Sequence, residues 1–132
     1  MVGYSGTKAA SQYRKLGLEV DVNSASPHRL IQLLFEGALT RLQQAEVSMT
    51  RADYASSGAL VGRVIEIVAA LRHSLDEQAG ELANQLDSLY QYCEFRLFDA
   101  TRDQNPELLQ EVGRLLKTLK AGWDGIATEG KA

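Results

Sequence analysis

The stretch Asn105-Pro106-Glu107-Leu108-Leu109-Gln110-Glu111-Val112-Gly113-Arg114-Leu115-Leu116-Lys117-Thr118-Leu119-Lys120-Ala121-Gly122-Trp123-Asp124-Gly125-Ile126 reads as one amphipathic helix with a marked start. Asn105 is a good N-cap, because its side-chain oxygen can take a first-turn amide. Pro106 costs nothing at the first position, where the amide has no intrahelical partner. Glu107 complements the positive end of the helix dipole. Leu108, Leu109, Val112, Leu115, Leu116, Leu119, Trp123 and Ile126 recur at steps of three and four, within about 120° of arc. Such a stripe has to be buried against other elements.

Three further helices lie N-terminal to this one. The first is predicted over residues 25–50, with Leu30, Ile31, Leu34, Ala38, Leu42, Ala45 and Met49 on one face. Ser24 or Ser26 caps it and Pro27 occupies its first turn. Asp53 caps the second, whose stripe is Val61, Val64, Val68, Leu71 and Leu75, with Leu60 and Ile67 beside it. It ends near Asp76–Gly80. The third carries Leu82, Leu86, Leu89, Cys93, Leu97 and Ala100 and stops before Asp103, since Pro106 forbids simple continuation. At 1.5 Å per residue each helix is about 30–38 Å long. Short turns make sequential helices antiparallel neighbours. The expected fold is all-α: an antiparallel up-down four-helix bundle over 24–127, an N-terminal arm over 1–23 and a flexible tail over 128–132. In the arm, Ala9, Tyr13 and Leu16 suit one weak helix interrupted by Gly17, and Val20 and Val22 follow in an extended stretch.

Composition limits the function classes. The chain has 132 residues, 45% hydrophobic and 23% charged, with two prolines and one cysteine. One cysteine excludes an internal disulfide and a cysteine-based zinc site, and fits a reducing cytosol. A net charge of −3 gives no reason to bind nucleic acid or an anionic membrane. No run of 18 apolar residues is present, so no membrane insertion is expected. Met1–Ala10 has no signal-peptide core. No Gly-rich phosphate loop occurs. Ala25 and Ala70 stand where a di-iron bundle would need Glu before His28 and His73. Cys93 lies on a core stripe and reads as a buried, inert thiol. No catalytic residue, cofactor or metal ligand is predicted. The acids from Asp76 to Glu111 outnumber Arg96 and Arg102 and read as a solvated face.

The first and third helices carry more apolar surface than one buried face requires. Leu30, Ile31, Leu33, Leu34 and Phe35 point in nearly every direction, leaving a narrow polar arc at Arg29, Gln32 and Glu36. Phe95 and Phe98 fall away from the Leu82/Leu89/Cys93 stripe, and Tyr92 sits on its flank. Either the arm covers this surface through Tyr4, Tyr13 and Leu16, or the surface is a groove for a partner helix. The two are compatible, because a docked segment can be displaced. Leu30, Leu33, Leu34, Phe35, Leu39, Tyr92, Phe95 and Phe98 are the candidate partner-binding residues. Gly37, Gly62 and Gly113 inside helices suggest close helix–helix approach, with Gly37 the position most suited to admitting a bound segment's backbone.

One block carries a family resemblance. Ser24-Ala25-Ser26-Pro27-His28-Arg29-Leu30-Ile31-Gln32-Leu33-Leu34-Phe35-Glu36-Gly37-Ala38-Leu39 resembles the opening of the flagellin export chaperones, the FliS family. Ile65-Glu66-Ile67-Val68, Leu71-Arg72-His73-Ser74-Leu75-Asp76 and Leu86 through Leu89-Tyr90-Gln91-Tyr92 resemble later blocks in order, as do Glu111-Val112, Trp123 and Tyr13. Phe35, Glu36 and Cys93 stand for the family's usual Tyr, Asp and Met. The resemblance implies a cytosolic, non-enzymatic chaperone that binds the C-terminal segment of flagellin 1:1, prevents its premature polymerisation and helps deliver it to a component of the flagellar type III export gate. Two other classes stay open. His73-Ser74-Leu75 faintly resembles a histidine phosphotransfer core, although Asp76 and Glu77 would repel a phosphohistidine. A generic homodimeric helical-bundle adaptor would hide the second faces against another copy.

Overall fold

The computed structural model describes residues 3–18 and 25–130, with side chains through Ile126. Among the described residues five α-helices follow one another: α1 (Gly6–Lys15), α2 (Pro27–Thr50), α3 (Tyr54–His73), α4 (Glu81–Asp103) and α5 (Pro106–Gly130), with a 3-10 turn at Glu77–Ala79 between α3 and α4. Among the described residues there is no strand, only an isolated antiparallel bridge between Tyr4 and Leu75.

The helix starts follow local chemistry. Ser26 accepts the Arg29 amide at 3.1 Å and Pro27 takes the first position of α2. Asp53 accepts the Ser56 amide at 3.3 Å and opens α3. Asn105 accepts the Glu107 amide at 3.0 Å and opens α5 behind Pro106. The reversals need left-handed backbone, at Ala52 (φ 59°) before α3 and at Gln104 (φ 50°) before α5. A non-glycine residue there costs on the order of 1 kcal/mol, and its neighbours hold it in place. Gln104 donates to the Thr101 carbonyl at 2.8 Å.

α2, α3, α4 and α5 form a ring in which each helix packs on the next and α5 returns to α2, while α1 lies across α2 and α3. The core holds Leu30, Ile31, Leu34, Phe35, Ile67, Leu71, Tyr90, Leu97, Leu109 and Leu116, all at most 2% exposed. Burying each such side chain stabilises the fold by about 1.5–3 kcal/mol. α3 matches a membrane span by composition, with a mean hydropathy of 1.4 over an 18-residue window. Its Val61, Val64, Ile67, Val68 and Leu71 are buried in the bundle, and Arg63 pairs with Glu66 at 3.0 Å on its outer side.

Several expectations are sharpened. Residues 128–130, assigned from sequence to a tail, fall inside α5. Leu82 was placed on the core stripe of α4 but is 41% exposed, whereas Tyr90 is fully buried. Close approach does not explain Gly62 or Gly113, because a Cβ at either would meet nothing within 4 Å. At Gly37 a Cβ would meet the Arg41 guanidinium at 3.3 Å and Ile67 at 3.7 Å, so only there does a neighbouring helix come near. The expected extended stretch at Val20 and Val22, and the alternative cap Ser24, lie outside the described residues.

Candidate partner-binding site

The arm is seated at both ends. Ser5 caps α1 by accepting the Lys8 amide at 3.3 Å. Ahead of it, the chain runs antiparallel to the end of α3. The Ser5 amide donates to the Ser74 carbonyl at 2.8 Å, and the Asp76 amide donates to the Gly3 carbonyl at 2.9 Å. Tyr4 is 5% exposed. Its hydroxyl bonds the Tyr90 hydroxyl, and its ring meets Trp123 edge-on at 4.9 Å. Trp123 stacks on His28 at 4.4 Å and donates its indole N–H to the His28 carbonyl at 3.1 Å. Burial pushes the Tyr4 phenol up to about 12 and raises that of Tyr90. Both are therefore neutral at physiological pH, so one donates and the other accepts.

Further along, Ala9 and Tyr13 are buried and Leu16 is partly buried against the core. Lys8 donates from Nζ to the Leu75 carbonyl at 3.3 Å, and Arg63 donates to the Leu16 carbonyl. α1 also lies very near the start of α2. A Cβ on Gly6 would sit 2.9 Å from two ring carbons of Pro27, so this approach requires glycine. Gly17 ends the arm helix with φ +69°, a conformation glycine adopts without strain.

The eight candidate partner-binding residues divide into two sets. Leu30, Leu34 and Phe35 of α2 are 2%, 0% and 0% exposed, while Leu33 and Leu39 are partly buried. The surplus apolar arc of α2 is consumed because this helix has α1, α3 and α5 as neighbours. On α4, by contrast, Tyr92, Phe95 and Phe98 are 41%, 66% and 59% exposed. No described residue of the arm covers them. Phe95 and Phe98 border a depression of about 240 Å³ together with Arg72, Gln91 and Glu94.

The charges around this open patch are paired. Arg72 donates from Nε to Glu94 at 2.8 Å. Arg96 donates from Nε to Glu111 at 2.9 Å, and Tyr92 donates its hydroxyl to the same carboxylate at 2.9 Å. The Arg96 hydrogen bond, followed by that from Tyr92, holds the Glu111 carboxyl below its ordinary range. Arg102 reaches Asp99 at 3.3 Å and Asp103 at 2.9 Å. The patch is therefore apolar at its centre and near neutral at its rim.

Nothing in this arrangement performs bond chemistry. Cys93 is fully buried, and burial pushes its thiol up to about 11. His73 is exposed at the last position of α3, with Glu77 and Asp87 around the same depression. Among the described residues no three His, Cys, Asp or Glu side chains converge in a metal-ligating group.

The sequence profile described as "Flagellar protein FliS" matches residues 9–130. The chain belongs to the FliS family. It is 47% identical over 121 residues to the flagellar secretion chaperone FliSB of Pseudomonas aeruginosa, covering 91% of this chain and 96% of that one. It is 35% identical over 125 residues to the flagellar secretion chaperone FliS of Salmonella typhimurium, covering 93% and 90%. Against its counterpart in Vibrio cholerae it is 30% identical over 118 residues, covering 89% and 87%. FliS proteins are flagellar secretion chaperones, not enzymes. The Tyr4–Tyr90 contact of this FliS chain escapes sequence reasoning because its partners are 86 residues apart and no local pattern links them.

Proposed function

We propose that this FliS protein acts in the cytoplasm and binds the C-terminal segment of flagellin 1:1. It holds the subunit unpolymerised and secretion-competent until a component of the type III export gate receives it. The observation that carries this reading is the division of apolar surface between an open patch and a covered one. Tyr92, Phe95 and Phe98 stand exposed on α4, and the arm covers apolar faces of α2 and α3.

An amphipathic segment of flagellin docks on the open aromatics first. Exposed aromatic side chains give large contact area at low conformational cost. The segment then takes the place of the arm and replaces Tyr4, Tyr13 and Leu16 with its own apolar residues on the Leu30/Leu33/Leu34/Phe35/Leu39 side. Exchange of one apolar segment for another needs no ATP. Lifting the arm exposes its buried side chains but frees a ten-residue helix, and each freed residue regains about 1–2 kcal/mol of backbone entropy. These opposing terms keep the cover removable.

Calorimetry with a synthetic flagellin C-terminal peptide tests this. Phe98→Asp should fold normally, since the side chain is 59% exposed, and should weaken binding by about tenfold or more. A Phe98→Asp variant with both fold and full affinity intact would show that the Phe98 part of the cradle is misplaced.

A further inference from the structure

We propose that the groove between α2 and α5, which shares only Leu39 with the candidate flagellin-binding residues and lies away from the aromatic patch, docks an acidic amphipathic helix of a partner protein. The groove encloses about 510 Å³ between Leu39, Leu42 and Glu46 on one side and Leu109, Gly113 and Lys117 on the other. Through Gln43 and Glu46 it continues along α2 into a second depression beside Val47, Thr50 and Arg51. From Thr40 to Arg51 it runs about 17 Å, or three helical turns. Leu42 and Leu109 form its buried floor, and Val47, 45% exposed, offers open apolar surface at its far end. Gly113 widens it, because a Cβ there would meet nothing within 4 Å.

Charge identifies the occupant. Most other cations of the bundle are matched: Arg29 with Glu36, Arg63 with Glu66, Arg72 with Glu94, Arg96 with Glu111, Arg102 with Asp103 and Lys120 with Asp124, while Arg41 donates to the Gly37 carbonyl at 3.1 Å. Arg51, Arg114 and Lys117 form no ion pair among the described residues, and all three line this groove. Arg114 lies near enough to Glu111 to lower its pKa, but that carboxylate is already held by Arg96 and Tyr92. The groove's one carboxylate, Glu46, accepts the Gln110 side-chain amide at 2.6 Å. A protein of net charge −3 thus concentrates unpaired positive charge beside an apolar floor. That combination selects a helix with leucine-like residues on one face and Asp or Glu on the flanks.

The test uses the ¹⁵N-labelled full chain and a synthetic helix of about 18 residues, leucines on one face and glutamates on the other. Saturable shifts are expected at the Gln43, Val47 and Gly113 amides. A lysine-for-glutamate version of the peptide should bind at least about tenfold more weakly, and raised salt should weaken the acidic peptide. Arg114→Glu with Lys117→Glu should weaken it by a similar factor. Gly113→Leu should abolish binding while leaving the circular dichroism unchanged. Equal binding of the two peptides, shifts confined to Phe95 and Phe98, or full affinity in the folded charge-reversed variant would overturn the proposal.

Discussion

Replacing Tyr4 with Phe should cost about 1–3 kcal/mol, and replacing Tyr4 and Tyr90 together should cost less than either change alone. Tyr90 is 0% exposed and Tyr4 is 5% exposed, and their hydroxyls bond each other. Removing one hydroxyl leaves the other buried without this partner, and an orphaned buried hydroxyl carries the full desolvation penalty of about 1–3 kcal/mol. Removing both leaves two phenyl rings of nearly the same shape, which is close to neutral. A double-mutant cycle in urea at neutral pH measures the coupling between the two sites. Hydrogen exchange localises the effect. The Ser5 and Asp76 amides bond the Ser74 and Gly3 carbonyls, so they report arm opening. In Tyr4→Phe they should exchange about 5- to 150-fold faster, the ratio equivalent to 1–3 kcal/mol. If the two single changes simply add, or if arm amides exchange no faster in Tyr4→Phe, the hydroxyl pair does not hold the arm.

Gly6→Ala should loosen the arm by about 1–3 kcal/mol, because the new methyl would lie 2.9 Å from the Pro27 ring; faster exchange at Ser5 and tighter binding of the flagellin peptide would register it. Gly62→Ala should instead raise the melting temperature, since it gains up to about 1 kcal/mol of helix propensity where a Cβ meets nothing within 4 Å. Glu111 has a folded pKa below its ordinary 4.5, so its stabilising contribution is present above that pH and is lost as pH falls through the folded value. Glu111→Gln should therefore lower the urea midpoint near neutrality, and the gap to wild type should close below pH 4.5.

The bundle was legible wherever the determinants are local. Ser26-Pro27, Asp53 and Asn105-Pro106 mark helix starts through bonds spanning two or three residues, and the α5 stripe states its buried face outright. Phe95 and Phe98 were recognisable as off-stripe residues and are exposed. The same reasoning detected surplus apolar surface on α2 but left its destination open. Leu30, Leu34 and Phe35 all lie in the core because α2 serves three neighbours, and the premise of one buried face per helix fails for it. Long-range contacts had no signature: Tyr4 meets Tyr90, and Trp123 donates to the His28 carbonyl 95 residues away. The α2/α5 groove was equally hidden, since whether Arg114 and Lys117 find acidic partners depends on where α2 lies.

Calorimetry of the flagellin C-terminal peptide, comparing the full chain with one lacking residues 1–16, tests the gated cradle most directly. An arm that competes reduces apparent affinity by the fraction of molecules with the cradle open. The truncated protein, if it keeps its helical circular dichroism, should therefore bind more tightly than the full chain. Unchanged affinity, or a strong loss, would show that the arm is no cover over the binding surface, and in the second case that it is part of that surface.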